Sequence, residues 1–303
     1  MLSSENKKKL EVKINSADAL LIITGAGMGI DSGLPDYRGP QGLWNTWHPA
    51  KQLNMTYENL STHEMFLENP ELAWGFQTYL TKLYQELSPH KGYYDLLEIS
   101  NKKFNGNYFV ITSNVDSQFL KSGFDENRLY EVHGTKRLWQ CTDKKCNKRF
   151  SPWNMSIDKL PTIDENSLYT IKPLPKCINC GAMARPNVSF FNDLFFNENI
   201  TKKHSLRLED WLNKNKNKKL IILEIGCGIS IHSLRLKLKD GQYKMMSNEW
   251  KLPREFLSFD KTSLVRINPD VTQDTQEDLN GIIPLGVGGK KGISIIKNLT
   301  KFK

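Results

Sequence analysis

Six short apolar runs punctuate this chain, and each gives way to small or polar residues. Residues 20–24 lead into Gly25-Ala26-Gly27, and residues 108–112 into Ser113-Asn114-Val115-Asp116. Residues 129–132 lead into His133-Gly134, and residues 220–225 into Gly226-Cys227-Gly228. Residues 264–267 precede Asn268-Pro269-Asp270, and residues 282–285 precede Gly286. Predominantly apolar runs of this length suit strands buried on both faces, as in a parallel sheet. Their alternation with helical patterns predicts an α/β fold. In an open parallel sheet the ligand crevice lies at the carboxyl ends of the strands, where these polar residues gather.

Two segments interrupt the alternation. Residues 44–101 are helical in pattern and aromatic-rich, with Trp74, Phe76, Tyr79 and Tyr84 in one stripe that reads as core packing. Residues 135–188 hold paired cysteines, prolines and short strands. The expected sheet domain therefore comprises residues 1–43, 102–134 and 189–303. The two insertions, 44–101 and 135–188, are expected to combine into a smaller domain.

The turn after the first run carries candidate chemistry. Gly25 and Gly27 allow a sharp turn and a close backbone approach, and amides at a strand-to-helix turn seat a pyrophosphate. Ile30 stands where a third glycine of the dinucleotide fingerprint would be, which weakens a dehydrogenase reading. Four of the five cysteines form two close pairs, Cys141/Cys146 and Cys177/Cys180, with 30 residues between them. Two such pairs suit a closed tetrahedral zinc site that leaves no position for substrate. Cys227 reads as a small buried residue rather than a nucleophile.

Composition narrows the class further. The formal charge of +9 is spread over the chain apart from lysine runs at 7–9 and within 213–219, so it reads as solvated surface. A nucleic-acid partner is not expected. No apolar stretch approaches the roughly 18 residues of a membrane span. Asp18 and the early glycine turn spoil a signal-peptide core, so a cytoplasmic location is expected.

Taken in order, these motifs resemble the sirtuins, the NAD-dependent protein deacylases. GAGMGIDSGLPDYRG (residues 25–39) resembles that family's Gly-Ala-Gly…Pro-Asp-Phe-Arg segment, TSNVD (112–116) its Thr-Gln-Asn-x-Asp, and His133-Gly134 its His-Gly. ARPNVSFF (184–191) and RINPD (266–270) resemble the family's Arg-Pro-x-Val-x-x-Phe and Ile-Asn segments. The resemblance implies a Rossmann-like parallel sheet with helices on both faces and a smaller zinc-binding and helical domain. It implies that Gly25, Ala26 and Gly27 hold a diphosphate and that Asp36, Tyr37 and Arg38 belong to the cofactor loop. Ser113, Asn114 and Asp116 would serve the nicotinamide and its ribose, Asn268 would bind the adenosine ribose, and Gly226 and Gly228 would lie near the phosphates. Val188 and Phe190 would line an acyl-lysine channel. In the implied reaction the acyl oxygen attacks the ribose, nicotinamide departs, an alkylimidate forms, and His133 is the general base. The other histidines, His48, His63, His90, His204 and His232, read as structural.

The chain departs from the family pattern in several places. Gly29 stands for Ser, Ser113 for Gln, Ser117-Gln118-Phe119 for Gly-Leu-His, Asn192-Asp193 for Gly-Glu, and Gly226-Cys227-Gly228 for Gly-Thr-Ser. Relatives that remove acidic acyl groups carry Tyr-x-x-Arg after Trp-x-Phe. Here Trp74-x-Phe76 is followed by Gln77 and Leu80, so no cation is expected there and a neutral acyl chain is expected. Mono-ADP-ribosyl transfer or NAD hydrolysis is the alternative activity, and a non-catalytic NAD-sensing module a third reading.

Overall fold

The computed structural model describes residues 4–34, 55–164, 167, 169–171, 173–228, 234–239, 242–245, 261–274, 279 and 281–302. Its strands, in chain order, are β1 (Ala19–Thr24), β2 (Tyr108–Thr112), β3 (Leu129–Glu131), β4 (Gly134–Cys141), β5 (Trp153–Asn154), β6 (Thr162–Ile163) and β7 (Thr170–Ile171). They continue with β8 (Ala184–Val188), β9 (Leu220–Ile225), β10 (Leu236–Lys239), β11 (Gln242–Met245), β12 (Thr262–Ile267) and β13 (Ile282–Leu285).

Six of these strands form one sheet in the order β13-β12-β9-β1-β2-β3, with every pairing parallel. Read from the other edge, the sheet runs outward in both directions from the β1/β9 boundary. That boundary is the topological switch point of a Rossmann-like sheet, where the loops on either side diverge and open a crevice. Strands β1, β2 and β9 are buried throughout, which is why their sequences are apolar runs rather than alternating ones, broken in β9 only by Glu224, whose charge is met by Arg266.

Alternate residues of the runs feed two cores. Leu20 and Ile22 pack with Leu10, Leu96 and Ile293 on one face, beneath helices Ser4–Ser16, Lys91–Lys102 and Gly289–Leu299. Ala19, Leu21 and Ile23 pack on the other face with Leu208 and Leu212 of helix Asn199–Asn215 and with Tyr243 of the β10–β11 hairpin.

Beside this sheet stands a smaller unit. Strands β5-β4-β8 form an antiparallel sheet, and helix Pro70–Glu86 packs on it. That helix starts with the Asn69 side chain accepting from the Leu72 amide at 3.4 Å and with Pro70 in the first turn, where a missing N–H is harmless. Trp74 is fully buried, stands edge-on to Trp139 at 5.3 Å between ring centres, and donates its indole N–H to Ala184 O at 3.0 Å. Trp74, Phe76 and Tyr84 of the stripe are buried core and Tyr79 is half-buried, and truncating an anchor such as Trp74 costs about 3–5 kcal/mol.

Candidate functional site

The six parallel strands end on one row. Leu285 pairs with Ile267, Ile267 with Ile225, Ile225 with Thr24, Thr24 with Thr112, and Thr112 with Glu131. Register alone thus carries residues far apart in sequence onto a common rim. Asn268, Gly226, Gly25 and Ser113 are the first residues past the row, and Asn114 and His133 the second.

At the switch point two glycine loops interlock. Gly25 N–H donates to Ile225 O at 3.1 Å, and Gly27 N–H to Gly226 O at 3.0 Å. A Cβ on Gly25 would lie 2.6 Å from Gly226 O, and one on Gly27 would lie 2.7 Å from Gly226 Cα. Gly226 itself has φ of 63°, and its Cβ would collide with the Met28 amide nitrogen. The glycines are therefore required by backbone-to-backbone approach. This changes their expected part: the Gly25 and Gly27 amides are committed to the neighbouring loop. Ala26 is half-buried, and its amide has no hydrogen-bond partner among the described residues.

His90 holds this turn from below. Its Nδ1 accepts from Gly92 N–H, which leaves Nε2 protonated to donate to Met28 O, both at 2.9 Å. Gly29 opens room for a neighbour: a Cβ there would meet Leu34 Cδ1 at 2.6 Å and lie 3.5 Å from Asp116 Oδ2.

Asn114 ties β2 to the same turn, donating Nδ2 to Gly25 O at 3.0 Å, while its own amide donates to Thr112 Oγ1 at 3.1 Å. Ser113 N–H donates to Thr24 O at 3.1 Å. Asp116 is buried, with Oδ1 accepting from Gln118 N–H at 2.9 Å around the left-handed Ser117. Burial raises its pKa to about 6, although that amide and the charge of Lys121 act in the opposite direction.

His133 sits at the seam between the two sheets, just before β4. Its carbonyl accepts from Ser189 N–H at 2.9 Å, and Gly134 pairs with Val188. Gly134 has φ of 77°, and a Cβ there would collide with Asn187 O, so the bend after His133 needs glycine. Desolvation lowers the His133 pKa to about 4, which keeps the ring neutral near pH 7. Two residues earlier, Glu131 is buried against Arg137 at 3.0 Å, and its pKa is raised to about 7 by desolvation despite that pair.

Val188 and Phe190 are both buried and share a cluster with Leu34, Phe66 and Val115. The Arg185 guanidinium lies 4.9 Å from the Phe190 ring centre and pairs with Asp193 at 2.7 Å, both side chains fully buried. Asp193 also accepts from the Phe190 and Phe195 amides, so Asn192-Asp193 closes this loop through a carboxylate.

At the end of β12 Asn268 is locked. Its Nδ2 donates to Cys227 O at 2.8 Å, and its Oδ1 accepts from Asp270 N–H at 3.0 Å. Arg235 Nη1 donates to the same Cys227 carbonyl at 2.8 Å. Arg235 also pairs with Asp274, which pairs with Arg266 at 2.8 Å, and Arg266 pairs with Glu224 at 2.7 Å. This buried chain of charges was not foreseen. Arg266 lay within a motif, but Arg235 and Asp274 approach it only through the hairpin and the turn after β12. Gly228 is exposed with open space at its Cα, and Cys227 is buried as expected.

The four paired cysteines converge, with all Sγ atoms within 4.8 Å of one another. Cys141–Cys180 and Cys146–Cys177 are separated by 3.5 and 3.7 Å between sulfurs. The edge of a tetrahedral zinc–thiolate cage is about 3.8 Å for bonds of about 2.3 Å. Asp143 N–H and Asn179 N–H donate to Cys141 Sγ and Cys177 Sγ at 3.3 and 3.4 Å, which favours the thiolate form. The donor set fits zinc.

Asp36, Tyr37, Arg38, His48 and His232 lie outside the described residues. His63 stacks on Phe195 at 4.0 Å and His204 is buried beside Tyr130, in keeping with structural parts. One expectation is corrected. A cation does reach Gln77: Lys136 Nζ, from β4, donates to Gln77 Oε1. Sequence spacing along one helix could not reveal it, because the lysine arrives from another element.

The fold and the site together define a nucleotide-binding α/β protein with an appended cysteine-ligated module. The model of the Sir2 family matches residues 25–223, and the chain belongs to that family. It is 31% identical over 191 residues to an NAD-dependent protein deacylase of Pyrococcus abyssi, covering 63% of this chain and 68% of that one. It is 26% identical over 280 residues to an NAD-dependent protein deacylase of Candida albicans, covering 80% and 87%. Among solved structures, a Sir2 homologue in complex with NAD superposes with a TM-score of 0.64 at 21% identity, covering 96% of this chain and 93% of that one. No helix among the described residues is long and apolar enough to cross a membrane.

Proposed function

We propose that this protein is an NAD-dependent protein lysine deacylase whose site is the rim described above. The observation that carries this reading is the placing of His133 at the seam of the two sheets, two residues past the strand-end row whose rim also carries the interlocked glycine turn. NAD supplies a ribose carbon activated by nicotinamide as leaving group. The Ala26 amide and the turn around it seat the diphosphate, with Gly226 and Gly228 beside it, and Asn268 flanks the adenosine ribose. Asp36, Tyr37 and Arg38 belong to the cofactor loop.

With Nδ2 committed to Gly25, Asn114 turns Oδ1 to a ribose hydroxyl. Asp116 accepts from the nicotinamide carboxamide, with Ser113 beside it. His133 takes a proton from a ribose hydroxyl; its low pKa keeps it ready as a base throughout the neutral range. Val188 and Phe190 flank the acyl-lysine, whose peptide adds as a strand at the β8 side. Cys141, Cys146, Cys177 and Cys180 hold a structural zinc that takes no chemical part, since four thiolates leave no open position.

Incubation with NAD and acylated peptides tests this reading. The expected products are nicotinamide, free lysine and O-acyl-ADP-ribose, with loss of at least a hundredfold in His133→Ala. ADP-ribose on protein or free in solution, with the acyl group still on lysine, would establish the ADP-ribosyl-transfer or NAD-hydrolysis alternative instead.

A further inference from the structure

Glu224 and Arg266 stand directly opposite each other inside the main sheet, on the neighbouring strands β9 and β12. Arg266 Nε–H donates to Glu224 Oε1 at 2.7 Å. Together the two side chains clamp the first residue of the β10–β11 hairpin. Leu236 N–H donates to Glu224 Oε2 at 2.8 Å, and Leu236 O accepts from Arg266 Nη2. The preceding residue, Arg235, is thereby carried to the strand ends. There its Nη2 pairs with Asp274, and its Nη1 donates to Cys227 O at 2.8 Å.

These four charged side chains are each at most 5% exposed. Apolar side chains of similar volume would serve folding as well or better. What the charges do beyond packing is hold one carbonyl. Cys227 O accepts from Arg235 Nη1 and from Asn268 Nδ2, both at 2.8 Å, so both of its lone pairs are used. In a trans peptide the carbonyl and the next N–H share a plane and point in opposite directions. β9 lies between β12 and β1. A Cys227 carbonyl turned to Asn268, just past β12, therefore turns the Gly228 N–H to the β1 side. The Gly25 turn abuts Cys227 on that side, where a Gly25 Cβ would lie 3.0 Å from Cys227 Cα. Gly228 is exposed, and its N–H has no hydrogen-bond partner among the described residues. The Gly226-Cys227-Gly228 loop carries no hydroxyl, where the family pattern has a threonine and a serine. Main-chain N–H is then the donor that such a loop can offer an anion.

We propose that Arg235 is a positioning residue for the cofactor: by holding Cys227 O it aims the Gly228 N–H at the diphosphate of NAD, in place of the missing hydroxyls. This rests on the deacylase reading, which sets Gly228 beside the diphosphate, and it adds the hairpin to the parts that govern NAD affinity. Arg235 acts through a peptide plane remote from the reacting ribose carbon. Its effect falls on cofactor binding and leaves the chemical step alone.

The test uses the full-length protein, with NAD affinity from calorimetry and KM and kcat from nicotinamide release. Arg235→Met is expected to raise Kd and KM for NAD at least tenfold, while kcat and the KM for acylated peptide stay within threefold. Because that variant leaves Asp274 one partner short, Arg235→Met/Asp274→Leu removes both charges of the pair. The double variant should recover most of the lost melting temperature and none of the lost NAD affinity. In the wild type, the Gly228 amide proton should move downfield when ADP-ribose is added. NAD affinity within threefold of the wild type in either variant overturns the proposal, as does a Gly228 amide that ADP-ribose leaves unmoved. Both outcomes leave the deacylase reading standing. A wild type that binds no NAD removes both.

Discussion

The side-chain amide of Asn114 donates to the main-chain carbonyl of Gly25 at 3.0 Å, joining the ends of β2 and β1 across 89 residues of sequence. One hydrogen bond thereby sets two groups at once. It fixes the turn that presents the Ala26 amide, and it orients the remaining oxygen of Asn114. Replacement by Ala removes a bond worth about 1 kcal/mol in stability. It removes far more in activity, because misplacement of a reacting group by 1 Å costs about a hundredfold. Asn114→Ala is expected to lower nicotinamide release about a hundredfold while its melting temperature falls by only a few degrees.

Gly226 and Gly228 are two residues apart and should respond in opposite ways. Gly226→Ala places a side chain on a left-handed residue and into Gly27 and Met28, and a strain of this kind costs about 2–4 kcal/mol or more. Gly228→Ala meets nothing within 4 Å among the described residues and should unfold within about a degree of the wild type. Denaturant titration of the two variants compares them directly. Equal stability would contradict the interlocked-loop account.

The carboxyl of Asp116 provides a pH signature. Its pKa, raised to about 6 by burial, means that the folded protein holds this proton more firmly than the unfolded chain. Stability from the protonated form is full below about pH 4 and is lost as the pH rises through about 6. Asp116→Asn keeps the acceptor for Gln118 N–H but cannot ionise. Its unfolding free energy should exceed that of the wild type at pH 8 by on the order of 2 kcal/mol, with the difference vanishing near pH 4. Nicotinamide release should fall at least tenfold, since the carboxamide loses its charged acceptor.

His133 titrates with the opposite sign. Its pKa is lowered to about 4, so the unfolded chain binds this proton first as the pH falls below about 6.5. The neutral ring's contribution to stability is therefore present above pH 6.5 and lost as the pH falls toward 4. Deacylation should keep its base between pH 6 and pH 8. A limb in the rate profile centred near 6.5 and abolished by replacing His133 would show an imidazole less desolvated than described.

Metal analysis of the purified protein should find one zinc per chain. Removal by a strong chelator, or Cys177→Ser, should lower the melting temperature by at least about 10 °C, because cage formation supplies folding free energy. Readdition of zinc after mild chelation should restore both the transition and activity. Full thermal stability after quantitative zinc loss would remove the structural assignment.

Much of this was legible beforehand. The run at residues 108–112 became β2 with the same bounds, and the run at 220–225 became β9, because strands buried on both faces are predominantly apolar, with Glu224 admitted only as the partner of Arg266. Cys141, Cys146, Cys177 and Cys180 declared their pairing by spacing, and the structure gathers them. The β10–β11 hairpin was missed, although Leu236-Lys237-Leu238-Lys239 alternates as a half-covered strand does.

The sequence by itself determined the strands, the positions of their polar ends and the cysteine set, since each follows from periodicity or spacing within a few residues. Only the tertiary structure decided which donors those ends retain. Gly27 N–H meets Gly226 O and Arg235 meets Cys227 O because β1, β9 and the hairpin lie side by side, a neighbourhood that no local pattern encodes. The same holds for Lys136. Along the chain it is one lysine among many, and the shift in β4 pairing is what buries it against Gln77, where low polarity makes its charge costly.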